Sequence, residues 1–123
     1  MPASPELAAF IRGHFPSVWT LELLLFLKND SSKAWERDRL VQALRASEAI
    51  ITKSIVVLLA GGLVVSDNDD RVQYAPASDS LRQLVDETQL LYARKPDAVR
   101  RLIVSAAGAG LSAFADSFRL RRD

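Results

Sequence analysis

The chain has 123 residues, of which 49% are hydrophobic and 25% charged, and its formal net charge is +1. This is the composition of one ordinary globular domain, and the net charge is too small to attract nucleic acid by itself. The absence of cysteine excludes disulfides, thiolate chemistry and cysteine-bound zinc, and His14, the single histidine, cannot by itself form a catalytic triad or a metal site. We therefore predict a non-enzymatic protein without metal or cofactor. The N-terminus lacks the basic and apolar regions of a secretory signal, so we expect a cytoplasmic location.

The first two predicted helices are marked by serines that suit an N-cap. Ser4 suits the N-cap of a short helix, which Phe15-Pro16 ends. Ser17 then begins a second helix over about residues 18–30, and polar side chains interrupt its apolar surface at only a few positions. A helix that is apolar nearly all round is expected to be buried. We therefore expect it to be central, with Trp19 in the core.

Two more helices and a hairpin are predicted next. The helix over residues 36–46 follows Trp35, which we expect to pack in the core or between helices. Ser47 begins the next helix, and Gly61-Gly62 stops it. Residues 63–76 then read as a strand (LVVSD), a turn (NDD) and a returning strand (RVQYAP).

The C-terminal third is predicted to be helical. Ser78 or Asp79 suits the N-cap of a long helix that runs to about Lys95. We expect Asp97 to begin another helix, and residues 111–123 to form a last one. The apolar side of this last helix consists of Leu111, Phe114, Ala115 and Phe118. The predicted fold class is therefore mainly α with a small β-hairpin.

The end of helix 47–60 carries the motif L-x-x-x-G-L-V, formed by Leu58, Gly62, Leu63 and Val64. Three helices, this motif and a two-stranded wing resemble the winged helix-turn-helix domain of MarR-like bacterial transcription regulators. The resemblance implies a winged helix-turn-helix domain with an N-terminal helix over residues 1–77. It also implies a C-terminal helical extension over residues 78–123, for packing or dimerisation.

The function that this resemblance implies is transcription regulation. It implies a homodimer that pairs through its C-terminal helices and binds double-stranded DNA, with helix 47–60 in the major groove and the wing at the backbone. The side chains that would contact DNA are Arg37, Arg39, Arg45, Thr52, Lys53 and Arg71. The alternative for the basic ones is a solvated charged face with local ion pairs.

The chemistry of helix 47–60 favours a different partner. With its apolar face turned inward, only Lys53 and Thr52 on its outer side can hydrogen-bond, whereas base edges present donors and acceptors. The wing turn, DNDDR, offers three acidic groups to a polyanion. Residues 36–75 carry five basic and six acidic side chains, a net charge of −1, which is the wrong sign for a DNA-reading surface.

A second hypothesis therefore treats this helix as a protein-docking surface. The apolar side chains that would dock are Ile50, Val56, Val57 and Leu59. Burying one Val or Leu is worth about 1.5–3 kcal/mol, so such a patch predicts a cover. The cover would be the C-terminal helices, a second subunit or another protein. A membrane is not expected, because the uncharged run over residues 102–115 has 14 residues against the roughly 20 of a membrane span.

Overall fold

The structure is a computed structural model, and it describes residues 4–104. Within this range it contains six helices and one two-stranded antiparallel sheet. The elements in chain order are α1 (Pro5–His14), α2 (Val18–Asn29), α3 (Arg37–Leu44), α4 (Glu48–Ala60), β1 (Val64–Ser66), β2 (Val72–Tyr74), α5 (Asp79–Arg94) and α6 (residues 96–104). This order confirms the predicted mainly helical fold with a small hairpin. The helix predicted over residues 111–123 lies outside the described residues.

Serine side chains begin four of the helices. The hydroxyls of Ser4, Ser17, Ser47 and Ser78 each accept the backbone N–H of the residue three positions later. These N–H groups have no partner within their own helix, so each hydroxyl satisfies one donor that would otherwise be left without one. The predicted helix starts at these serines are confirmed, and Ser78 rather than Asp79 is the N-cap of α5.

The start of α6 differs from the prediction. We expected Pro96 to precede the helix and Asp97 to begin it, but the helix already includes residue 96. The Lys95 carbonyl accepts the N–H groups of Ala98 and Val99. Proline fits the first helical position because that residue needs no N–H partner. Pro96 therefore belongs to α6, directly after α5 ends.

The hydrophobic core surrounds α2, most of whose apolar side chains are buried, as predicted. Trp19 is the exception, because 41% of its surface is exposed. It is the second residue of the helix. Apolar residues occur on all sides of α2, so the sequence did not show that the first turn of this helix is partly open to solvent. The prediction that Trp19 lies in the core is therefore wrong.

The hairpin is extended by one residue pair from the segment before α3. Val64 pairs with Tyr74 and Ser66 with Val72, and Trp35 forms a further antiparallel bridge to Val72. In this bridge each backbone N–H donates to the other residue's carbonyl at 2.8 Å. Trp35 also packs edge-on against Phe26, with ring centroids 4.9 Å apart, which confirms its predicted packing role.

The turn between α4 and β1 requires a glycine at position 62. Gly62 has φ +73°, a conformation that side chains with a Cβ rarely adopt. Its carbonyl accepts the N–H of Ala77 at 2.8 Å, so the same turn also holds the chain that leaves the hairpin. This confirms that the glycine pair stops α4.

The last two described helices share the core of the first four. Val85 and Thr88 of α5 and Val99 and Ile103 of α6 are buried. Lys28 of α2 contributes a polar link, donating to Gln89 at 2.6 Å. Among residues 4–104, no helix combines the length and the hydropathy needed to cross a membrane.

Candidate functional site

The inner side of α4 is set by four buried side chains: Ile51, Ser54, Ile55 and Leu58. The Ser54 hydroxyl lies 3.1 Å from that of Thr20 on α2. A buried pair of polar groups of this kind is costly to separate, so it resists rotation of α4 about its axis. A step of about 100° per residue predicts that Ile51, Ile55 and Leu58 face the core, and this is confirmed. Val57, which the same step predicts to face outward, is half-buried.

The opposite side of α4 is exposed and mostly apolar. We define the α4 outer face as Ala49, Lys53, Val56 and Ala60, all of which are exposed. Val56 is 60% exposed. The other side chains that we predicted for docking lie on its flanks: Leu59 is 38% exposed, and Ile50 and Val57 are half-buried.

The six residues that we predicted for DNA contact do not form one basic surface. Arg37 donates to the Asp70 carboxylate at 3.3 Å. Arg71 contacts Asp67 at 2.9 Å and Asp69 at 3.3 Å. Two of the five predicted cations therefore form ion pairs with aspartates of the hairpin turn, and this weakens their electrostatic attraction for phosphate.

The remaining predicted contacts are more accessible. Arg39, Arg45 and Lys53 are exposed, and none of them forms an ion pair with a residue between 4 and 104. Arg45 ends α3 with φ 53°, a left-handed conformation. Thr52 is half-buried on the flank of the α4 outer face. The structure thus leaves three cations available around α3 and α4.

Asp67 organises the hairpin turn. One of its carboxylate oxygens accepts the backbone N–H groups of Asp69 and Arg71, both at 2.9 Å. The bond from the Arg71 N–H is the main reason that the pKa of Asp67 lies below its ordinary value of 3.8. The turn is therefore built around a carboxylate that stays charged at neutral pH.

An acidic cleft lies between the starts of α3 and α4 and the hairpin turn. Its volume is about 430 Å³. It is lined by five acidic residues and two basic ones: Glu36, Asp38, Glu48, Asp69, Asp70, Arg37 and Arg71. Glu48 is the first residue of α4, so the cleft adjoins that end of the helix. The excess of carboxylates favours a cationic partner and disfavours phosphate.

A second concave surface was not predicted from the sequence. The Trp19 groove, as we name it, has a volume of about 390 Å³ and lies between α2, the end of α3, α5 and α6. It is lined by Val18, Trp19, Glu22, Ala43, Leu44, Tyr92 and Arg100. The exposed side chain of Trp19 is the feature that draws attention to this groove. The sequence alone does not show this exposure, because it depends on how distant helices pack.

The polar groups of this groove are already paired with one another. The Tyr92 hydroxyl donates to the Glu22 carboxylate at 2.5 Å, and the Arg100 guanidinium lies 5.8 Å from the centroid of the Tyr92 ring. Burial and the bond to Glu22 raise the pKa of Tyr92. What remains open in the groove is therefore chiefly apolar surface.

Side chains that could bind a metal ion are not clustered in the part of the chain that the structure describes. Between residues 4 and 104, no group of three or more His, Asp or Glu side chains is arranged to hold a metal ion. No protein-family model, no curated protein and no solved structure matches the chain.

Proposed function

We propose that the domain is a non-enzymatic protein-interaction module. Its α4 outer face and the acidic cleft together bind a polypeptide segment with aliphatic side chains on one side and Lys or Arg at one end. The observation that carries the proposal is the exposed Val56, at 60% of its surface, on a helix that begins at a cleft with five carboxylates.

The apolar part of this surface accounts for the binding energy. Burying one exposed Val or Leu side chain fully is worth about 1.5–3 kcal/mol. Val56 and Leu59 are the exposed large hydrophobic side chains of α4. Polar base edges would desolvate against these side chains without gaining hydrogen bonds, whereas an aliphatic partner loses nothing by the contact.

The charged part accounts for the choice of partner. Arg37 and Arg71 offset two of the five cleft carboxylates through their ion pairs. The excess of negative charge attracts a cationic side chain and repels an acidic segment or a nucleic acid. Attraction of this kind acts mainly on exposed charges, so it weakens as salt is added.

A labelled synthetic peptide tests this function on the full chain. The probe is an amphipathic peptide of Leu and Lys, compared with the same peptide in which Glu replaces Lys. We expect the Leu/Lys peptide to bind more tightly, and Val56→Asp to weaken its binding about tenfold or more, because a charge would replace an apolar contact.

Leu90→Asp is the matched control for this experiment. Leu90 lies on α5 and is 57% exposed, close to the 60% of Val56. Leu90→Asp should leave peptide binding unchanged. Equal binding to Val56→Asp and to the unchanged protein would refute the apolar part of the proposal. Equal affinity for the Lys and Glu peptides would refute the part that rests on charge.

Regulation of transcription is the second candidate function. It is favoured by the order of elements, since α4 is followed at once by a hairpin, and by Lys53 at the centre of the α4 outer face. This order resembles the winged helix-turn-helix domain of MarR-like regulators. In this proposal Thr52, Lys53, Arg39 and Arg45 contact double-stranded DNA, and two copies pair through their C-terminal helices.

Salt-dependent binding to duplex DNA separates the two functions. A regulator should bind random duplex at low salt and release it steeply as salt rises. Lys53→Ala should then weaken binding more than Arg82→Ala, which changes an exposed arginine on α5. Retention on DNA no greater than that of an inert protein at low salt would remove this candidate. Sedimentation of the free protein tests the pairing of copies.

A further inference from the structure

The exposure of Trp19 is unusual for its position. It lies on α2, where six of the twelve residues are buried, yet 41% of its surface is open. Trp side chains are highly buried on average, and their large apolar rings are costly to leave in water. Trp19 forms part of the Trp19 groove together with the half-buried Val18 and Leu44. A surface of this kind indicates an occupant.

The groove continues towards the end of the described chain. Arg100 lines both the Trp19 groove and an adjoining hollow on α6, whose other lining residues include Arg101 and Val104. Val104 is 65% exposed and is the last described residue. Only four residues of helix, about 6 Å along its axis, separate Arg100 from this point.

The sequence beyond residue 104 carries apolar side chains that suit the apolar surface of the Trp19 groove. Leu111, Phe114 and Phe118 are spaced three and four residues apart, a spacing that places side chains on one side of a helix. Residues 105–110 lie between them and α6 and can span at most about 20 Å. The apolar part of the segment can therefore reach a groove that begins one helical turn from residue 104.

We propose that residues 111–118 of the same chain cover the Trp19 groove, with Phe114 and Phe118 against Trp19. Tethering favours this occupant, because a short link gives an effective concentration of about millimolar. At micromolar protein concentration this exceeds what a second copy supplies by roughly a thousandfold. The inference concerns a different surface from the α4 outer face and does not depend on the proposed function.

The test follows the fluorescence of Trp19 in the full chain. The sequence has two tryptophans, so Trp35→Phe makes Trp19 the only reporter. In this background Phe114→Asp should raise the acrylamide quenching constant about twofold and shift the emission to the red, because the covered ring becomes exposed. Ala113→Asp is the matched control, since it adds the same charge one residue away on the opposite side of the predicted helix. It should change neither quantity.

A second measurement covers the case in which Trp35→Phe does not fold. The fluorescence of the natural chain minus that of Trp19→Phe, taken at each acrylamide concentration, also reports Trp19 alone. Equal quenching with and without Phe114→Asp would overturn the proposal. Protection that disappears on dilution would also overturn it, since the occupant would then be a second copy. Neither measurement uses the peptide or DNA probes, so its failure leaves the proposed function to its own test.

Discussion

Two neighbouring leucines on α4 give a direct test of the helical phase on which the docking surface depends. Leu58 is 0% exposed and Leu59 is 38% exposed. The same substitution, to alanine, removes the same atoms from each. It is close to neutral for the helix itself, because both residues are good helix formers. Any difference in cost therefore reports where each side chain lies.

The expected magnitudes follow from burial. Truncating a fully buried leucine loses about 2.4 kcal/mol of transfer free energy and leaves a cavity, so we expect Leu58→Ala to cost about 3 kcal/mol. Leu59 is partly exposed and opens to solvent, so Leu59→Ala leaves no enclosed cavity. Its cost should be no more than about 1.5 kcal/mol, the buried fraction of the same transfer term.

Equilibrium unfolding in urea measures both variants against the unchanged chain. The midpoint should fall about twice as far for Leu58→Ala as for Leu59→Ala, with similar slopes. Equal costs, or a larger cost for Leu59→Ala, would show that the outer side of α4 is covered or that the helix is rotated. Either result would remove the physical basis of the proposed docking surface.

The remaining predictions concern polar groups. The Tyr74 hydroxyl is buried without a hydrogen-bond partner among residues 4–104, so Tyr74→Phe should stabilise the protein by about 1 kcal/mol in the same urea unfolding measurements. Tyr92→Phe, which removes the hydrogen bond to Glu22, should destabilise it by a similar amount. Burial raises the pKa of Tyr74 to about 12, because the folded state favours the neutral hydroxyl. Stability should therefore not depend on the ionisation of this group below its ordinary pKa of 10 and should fall as pH rises from 10 towards 12. An ultraviolet titration that shows both tyrosines ionising near pH 10 would contradict this. Thr20→Val leaves the Ser54 hydroxyl without its buried partner and should cost about 1–2 kcal/mol, and the double variant with Ser54→Ala should cost less than the two single changes together. The lowered pKa of Asp67 means that its contribution to the hairpin is complete above about pH 4 and is lost as pH falls below it; Asp67→Asn should remove this acid dependence of the hairpin amide shifts in NMR spectra.

The features predicted correctly from the sequence are those with local causes. A serine at an N-cap bonds to an N–H three residues away, and Gly62 adopts its positive φ within its own turn. The phase of α4 also follows from local geometry, because a step of about 100° per residue connects Leu58 to Val56. These arguments need no knowledge of which other element lies nearby.

The features that were missed depend on distant residues. The Trp19 groove is formed with residues of α3, α5 and α6, and the sequence of α2 does not show how these helices are placed around it. The same holds for the pair between Arg37 and Asp70, which are 33 positions apart. The sequence showed that the hairpin turn is acidic, but it did not show that the turn faces the starts of α3 and α4.

The bridge between Trp35 and Val72 has a consequence for how the acidic cleft would bind. Two reciprocal hydrogen bonds of 2.8 Å join the segment before α3 to the hairpin, and these two parts of the chain supply Glu36 and Asp70 to the cleft. A preorganised binding site loses little conformational entropy when a ligand binds. If the cleft binds a cationic segment as proposed, loosening the bridge should therefore lower the affinity, even though neither Trp35 nor Val72 lines the cleft.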